Sequence, residues 1–355
     1  MKEIHQLIAG ATVGDAITNY ALEIRDILRS SGLRSEIFAP LQHTAPELKA
    51  AVLPVSEHVA TLYKKDITLF YHFSIGSEMT EYFIQAQGWK VLCYHNITPE
   101  KYFRYISDQR ANLLKQGREE LKALCHVPDI TLADSGFNAR ELEEFGFSNP
   151  LIVNLTLNEN FLKKAPSKKI IRTYKDSFTN FLFVGRVAPN KKLEDALKVF
   201  YYYNKTINPS SRLILAGSYS GMEKYYNYLR SLACEMGLHD VVFTGHVSLE
   251  ELLGYYAASS LFLCMSEHEG LCIPLIESMY FRKPVFALAR TAMPETMGDA
   301  GVLIYRKNHR AIAELINIVL NDKNILQNII EKQNERIKDF HKDILKKKLK
   351  TILGF

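Results

Sequence analysis

The feature that most restricts the fold of this chain is a regular alternation of short strand-like runs with amphipathic stretches of helical period. Residues 4–9, 35–39, 67–72, 90–95, 130–135 and 151–155 read as strands. Between the first two, Ala16, Ile17, Tyr20, Ala21, Ile24, Ile27 and Leu28 recur at helical spacing, with Asp15 at the N-cap position and Gly32 at the close. A further amphipathic helix is predicted around 110–124. Parallel strands need long crossovers, usually helical, so this alternation selects a doubly wound α/β domain.

Residues 156–180 break the pattern. They are polar and basic and contain Pro166, and they read as a domain connection. A second series of strands follows at 181–184, 212–216, 241–244, 261–265, 284–288 and 301–304, with helices near 193–205, 222–236, 249–257 and 310–320. The expected architecture is therefore two tandem Rossmann-like domains, one over 1–160 and one over 175–335. Beyond them Ile337, Phe340, Ile344, Leu349 and Ile352 keep helical spacing, with lysines on the opposite face.

A chain of 355 residues accommodates two such domains, and 47% hydrophobic with 23% charged residues suits a soluble globular protein. Most of the net charge of +5 sits in residues 331–355, where eight basic side chains face four acidic ones. The five cysteines, Cys93, Cys125, Cys234, Cys264 and Cys272, have no metal-finger spacing and read as buried free thiols of a reducing compartment. No apolar run reaches the ~18 residues of a membrane span, and the N-terminus reads as a strand rather than a signal peptide. A cytoplasmic location is the expectation, with no nucleic-acid partner.

The chemistry concentrates in SEHEGLCIPLIESM, Ser266 to Met279. An apolar strand ends at Ser266, Pro274 suits the first turn of a helix, and Glu269 and Gly270 fall on the loop between them. Such a loop lies at the carboxyl end of a sheet, where open α/β folds bind ligands. Glu269 on the loop and Glu277 on the helix suit hydroxyls on both sides of a diphosphate, as in a nucleotide-sugar. As a hydrolytic acid/base pair they are badly spaced, since eight helical residues rise ~12 Å and such pairs need ~5–9.5 Å. Two solvated surface charges are the bland alternative. Gly185 and Arg186 end another strand, and Lys191 and Lys192 follow before a helix. A guanidinium and an ammonium at a strand–helix junction suit a diphosphate, although a solvated charge cluster has the same composition. No DxD motif stands where it could chelate a metal with a diphosphate.

GRVAPNKK, GHVSLEEL, SEHEGLCIPLIESMYFRKPVFAL and TAMPETMGDAGVL, in this order, resemble the C-terminal domain of glycosyltransferase family 4, retaining enzymes of the GT-B fold. GDAITNYALEIRDILR, YHFSIGS, CYHNITPEKYF and ADSGFNARELEEFGF resemble the N-terminal domain of a bacterial and archaeal branch of it. The resemblance implies a donor site in the interdomain cleft, an acceptor-side N-terminal domain, and a final helix at about 337–355 that packs back on that domain. Arg186 and Lys191 match the pair that stabilises the leaving diphosphate, Glu269 the glutamate on the donor sugar and Glu277 the one on the ribose. Gly270, Leu271 and Cys272 match the loop whose N–H groups meet sugar and phosphate. Gly185 belongs to the same donor site, and His246 and Val247 match the stretch that meets the base. In the N-terminal domain, Gly14 matches the glycine loop that closes on the donor and His95 the histidine near the reacting carbon. A lone histidine at a strand end is also a common structural residue, and His72 is read as structural. Two positions depart from the family, which often has glycine where Cys272 and Lys192 stand.

The implied activity is metal-independent, retaining transfer of a hexosyl group from a GDP- or UDP-linked sugar to a glycan or lipid-linked glycan, without a bound cofactor. The leaving phosphate oxygen takes the acceptor's proton. Rival readings are a sugar-nucleotide epimerase of the same fold, a pyridoxal-dependent glycan phosphorylase and a non-catalytic nucleotide-sugar-binding protein. The basic C-terminal helix, with Lys346, Lys347, Lys348 and Lys350, suggests peripheral contact with the inner membrane face.

Overall fold

The computed structural model describes residues 3–158, 161 and 163–355. The chain forms two compact units. The first comprises Met1–Lys101, Asp108–Asn158 and Lys342–Phe355, and the second comprises Tyr102–Ser107 and Glu159–His341. The predicted connection at 156–180 includes 159, 160 and 162, which lie outside the described residues. Its later part contains a helix, Lys168–Tyr174, that belongs to the second unit. This helix packs on Leu249–Ala258, where a β-carbon on Gly254 would come within 2.8 Å of Ile170.

The first unit holds seven parallel strands: β1 (Glu3–Ile8), β2 (Ile37–Ala39), β3 (Leu53–Pro54), β4 (Ile67–Phe73), β5 (Trp89–Tyr94), β6 (Ile130–Ala133) and β7 (Leu151–Ile152). Their order is β3-β2-β1-β4-β5-β6-β7. The short β3 has no counterpart among the predicted strands. It ends in Pro54, tolerable at a sheet edge because no further strand needs its missing N–H. The central strand β4 is buried along its whole length, as expected of a parallel strand covered on both faces.

The second unit holds six parallel strands: β8 (Thr179–Val184), β9 (Ser211–Ala216), β10 (Val241–Gly245), β11 (Leu261–Cys264), β12 (Val285–Leu288) and β13 (Val302–Ile304). Their order is β10-β9-β8-β11-β12-β13. In both sheets the order reverses beside the first strand, between β1 and β4 and between β8 and β11. These are the topological switch points at which doubly wound sheets open a crevice. Phe181, Phe200 and Tyr203 fill the second core beneath β8, with the rings of Phe181 and Tyr203 4.8 Å apart. Helix starts are capped locally: Asp15 accepts from the Thr18 N–H at 2.8 Å, and Ser248 with Glu251 forms a reciprocal capping box.

The C-terminal segment differs from the single helix expected at about 337–355. A helix over Lys323–Arg336 is followed by a tight turn at Ile337–Phe340, and a new helix runs over Lys342–Leu353. Ile337 and Phe340 belong to the second unit, where Arg336 lies over the Phe340 ring. Only the last helix belongs to the first unit. It buries Leu345, Leu349 and Leu353 and leaves Ile344 40% exposed, because the break at His341 resets the helical phase. Of the cysteines read as buried, Cys93 and Cys264 are so, whereas Cys234 is exposed; all five are free thiols.

Gly185, Gly217 and Gly245 stand at the carboxyl ends of three neighbouring strands, all with positive φ. A β-carbon on Gly217 would fall 2.0 Å from the Gly185 carbonyl oxygen. Since that obstacle is backbone, Gly217→Ala is expected to cost about 3 kcal/mol or more through strain and overpacking. Urea unfolding checks this: a midpoint equal to that of the wild type would contradict the close approach.

Candidate functional site

The loops after β8 and β11 are brought together because these strands are neighbours. Lys191, from the first loop, donates to both carboxylate oxygens of Glu269, from the second, at 2.6 Å. Both side chains are largely covered, at 20% and 10% exposure. Burial opposes the charge on Lys191, but the Glu269 carboxylate outweighs it and holds the ammonium pKa above its ordinary value. Removing one partner of such a pair typically costs ~3–5 kcal/mol, since the other charge stays buried alone. Arg186 is exposed on the same loop as Lys191.

Around this pair the backbone is unusual. Lys192 (φ 51°), Cys272 (φ 70°) and Thr291 (φ 50°) all occupy the left-handed region. The first two are the positions where the family resemblance leads one to expect glycine, which adopts that region without a β-carbon clash. Thr291 accepts the Glu269 N–H on its Oγ1 at 3.0 Å, and Thr296 donates its hydroxyl to the Leu271 carbonyl at 2.6 Å. Asn190 ties the same two loops, donating to the His268 carbonyl at 3.0 Å while its own carbonyl accepts the Glu267 N–H at 2.9 Å. Lys192 pairs with Glu194 at 3.4 Å and Glu267 at 3.9 Å, so it belongs to a separate charged cluster. Lys307 extends that cluster, binding Asp195 at 2.6 Å and also Glu267.

Glu277 sits in the helix Ile273–Tyr280 and accepts from the Tyr256 hydroxyl at 2.5 Å. Burial pushes its carboxyl up from the ordinary 4.5 to about 7, although Tyr256 favours the ionised form. Gly245 ends β10, and Val247 follows it, partly buried, with His246 exposed between them. Tyr219 stacks on Tyr226 with centroids 4.1 Å apart and lies 3.7 Å from where a Gly245 β-carbon would be. Tyr256, Thr291 and Tyr219 were not legible as site residues: each contact is long-range, and no spacing in the sequence announces it.

His95 and Gly14 belong to the first unit. The His95 ring is 1% exposed rather than open to solvent. It bonds Asp134 through Nδ1 at 2.9 Å and His72 through Nε2 at 2.9 Å, and His72 continues to Gln6 at 2.8 Å. Burial disfavours a charged His95, yet Asp134 and Cys93 raise its pKa well above the ordinary value. The same burial drives the His72 pKa well down, so the shared proton rests on His95. His72, read as structural, is thus the direct partner of His95. Gly14 (φ 81°) stands in the turn before the Asp15 cap, with nothing near its missing β-carbon. A concavity of about 730 Å³ nearby is lined by Gly10, Thr12, Asp15, His43, Ser74 and Arg110.

Comparisons with known proteins bear on the family and the fold. Residues 166–336, within the second unit, match the family model described as "Glycosyl transferases group 1". Among individual proteins, the chain is 27% identical over 201 residues to the O-antigen chain mannosyltransferase B of Escherichia coli, covering 54% of this chain and 52% of that protein. It is 29% identical over 162 residues to a Campylobacter jejuni N-acetyl-D-galactosaminyltransferase named for an undecaprenol-linked glycan, covering 45% and 43%. The chain thus spans about half the length of these curated relatives. The structure of Anabaena HepE in complex with UDP and glucose superposes with a TM-score of 0.76 over 100% of both chains at 16% identity. That likeness establishes the fold, two tandem Rossmann-like units of the GT-B class.

The Glu277 carboxyl gives a pH-dependent signature. Because its folded pKa of about 7 exceeds the ordinary 4.5, the native state binds more protons between these values. Stability from this group therefore falls as pH rises through that window and levels off above it, by about 3 kcal/mol in total. Glu277→Gln should lack this component. Urea unfolding of both proteins across the window checks it; parallel pH curves would refute the buried, raised carboxyl.

Proposed function

We propose that this protein is a retaining glycosyltransferase. It moves a hexosyl group from a GDP- or UDP-linked sugar to a glycan or lipid-linked glycan. The observation that carries this reading is the Lys191–Glu269 pair at the switch point between β8 and β11. A cation suited to phosphate and a carboxylate suited to hydroxyls are held at one spot. The group 1 domain and the named relatives support the same reading.

On donor binding, Lys191 turns from Glu269 to the diphosphate, and Arg186 joins it from the exposed part of the loop. Negative charge develops on the leaving phosphate as the glycosyl bond breaks, and these two cations stabilise it. Glu269 accepts from sugar hydroxyls and Glu277 from the ribose. The N–H groups of Gly270, Leu271 and Cys272 face sugar and phosphate, while Gly185, Gly245 and Val247 keep the backbone close to the nucleotide. The leaving phosphate oxygen takes the acceptor's proton, so the step uses no metal, cofactor or carboxylate nucleophile. Gly14 contributes to donor binding, as its match implies, and the concavity beside it serves the acceptor. His95, held by Asp134 and His72 beside Asn96 (φ 73°) at the end of β5, takes the role its match implies, near the reacting carbon.

Glu269→Gln is expected to lower transfer by orders of magnitude while leaving nucleoside diphosphate binding near normal. Arg186→Ala and Lys191→Ala should weaken both, and Lys192→Ala should do less because Lys192 is engaged with Glu194 and Glu267. A thermal-shift screen against nucleotide-sugars identifies the donor, since ligand at 100 times its dissociation constant stabilises by ~2.7 kcal/mol. Turnover with acceptors then follows. Unchanged turnover in Glu269→Gln, or donor converted to an epimer without acceptor, would reject the transferase assignment.

The last helix supplies a second part of this reading, a peripheral contact with anionic membrane at the cytoplasmic face. Lys346, Lys347 and Lys350 are exposed, whereas Lys348 donates to the Ile152 carbonyl at 3.0 Å and is a strap to β7. Each free lysine can add ~1 kcal/mol of attraction to anionic lipid. Co-sedimentation with anionic vesicles should therefore fall when the three exposed lysines become glutamine, and fade with salt. Equal partitioning onto neutral and anionic vesicles would rule the contact out.

A further inference from the structure

The Lys191–Glu269 pair has two thiol neighbours that transfer chemistry does not use. Cys264 ends β11 and is fully buried, and Cys272 opens the helix Ile273–Tyr280. Their sulfurs and a Glu269 oxygen all lie within 4.8 Å of one another. Cys272 holds its side chain at φ 70°, a conformation in which any β-carbon is disfavoured.

We propose that Cys264, Cys272 and Glu269 form a site for a thiophilic divalent cation such as zinc(II), and that its occupation opposes sugar-donor binding. The second half of this proposal rests on the transferase reading; the first half does not.

Thiolate and carboxylate ligands at zinc distances of ~2.3 and ~2.0–2.2 Å stand about 3.5–3.8 Å apart in a tetrahedron, within the observed span. Two of the ligands have an outer partner of the kind that orients metal ligands. The Cys264 sulfur lies 3.3 Å from the Ser266 hydroxyl. Glu269 is held by Lys191, and its own N–H is held by Thr291. The charge also balances. As the cation enters, two thiols release two protons and become thiolates, so the pocket's total charge, including the Lys191–Glu269 pair, is unchanged. A fourth coordination position stays open to water. The first unit has a comparable cluster, His72, Cys93 and His95, but its facing nitrogens already share a proton at 2.9 Å, and the side chains are enclosed. At the thiol site, by contrast, Cys272 is only partly buried and offers an entry. With the cation bound, a Glu269 oxygen is committed to metal and is lost to sugar hydroxyls.

Cobalt(II) titration of the reduced, full-length protein tests the site without any donor. One equivalent should produce a thiolate-to-cobalt charge-transfer band with tetrahedral visible absorption, and zinc should displace it. Cys264→Ser and Cys272→Ser should each abolish the band with circular dichroism unchanged. Cys93→Ser and Cys234→Ser should keep it. Ser266→Ala should weaken cobalt affinity by roughly tenfold or more. Should a cysteine variant fail to fold, alkylation of wild-type Cys272, read by mass spectrometry, must be slowed by zinc. Absence of a thiolate band, its loss in Cys93→Ser rather than Cys264→Ser, or alkylation of Cys272 indifferent to zinc would overturn the site. Zinc should also abolish the nucleotide-sugar thermal shift, and a chelator should restore it. A donor shift unaffected by bound zinc would overturn the antagonism while leaving the site intact. A protein that shifts with no nucleotide-sugar, yet shows the cobalt band, would overturn the donor reading and with it the antagonism.

Discussion

Two neighbouring parallel strands, β8 and β11, decide what this protein can do. They are adjacent because the second sheet reverses its strand order there, so the loops leaving them carry Lys191 and Glu269 to one point. Neither residue is useful alone in that position. A buried ammonium or carboxylate without a partner pays a desolvation penalty of several kcal/mol. Paired, each keeps the other ionised and in place. The surrounding contacts serve this pair. Asn190 bolts the loops together, Thr291 fixes the Glu269 backbone, and three glycines clear the strand ends.

The two units hold buried charge in different ways. In the second, the ion pair is at the sheet edge and partly wet, so a ligand can exchange for either partner. In the first, the His95–Asp134 pair lies beneath the strand ends and is closed off by His72, Gln6 and the edge of the Tyr20 ring. One arrangement is partly open to solvent, while the other is enclosed.

Much of this was legible from the chain alone. Every predicted strand of the second series falls on an observed one, because parallel strands buried on both faces are uninterrupted apolar runs such as Leu261–Cys264. Glu269, Lys191 and Arg186 stood out because charged residues directly after such runs must lie at the sheet's carboxyl edge. The misses have physical causes. The two-residue β3 is too short to show a period, and Leu151–Ile152, the strand left of a longer prediction, is half exposed at an edge. The break at His341 follows a tight turn that keeps apolar spacing, so a continuous helix and two helices read alike. The Tyr256–Glu277 bond spans 21 residues between two helices, and nothing local encodes it. The departures from glycine at Lys192 and Cys272 were visible as letters, but their meaning, left-handed backbone carrying a full side chain, needed coordinates.

The way the chain is shared between the two units bears on how it is made. Tyr102–Ser107, flanked on both sides by the first unit, lies in the second, where Ile106 packs against the core and Lys224 holds the Tyr105 carbonyl at 2.6 Å. Residues 342–355 return to the first unit and bury Leu345, Leu349 and Leu353 there. During synthesis, the first unit therefore stays incomplete on the ribosome until the whole of the second has been translated. The second can close its sheet earlier, because all its segments have then emerged.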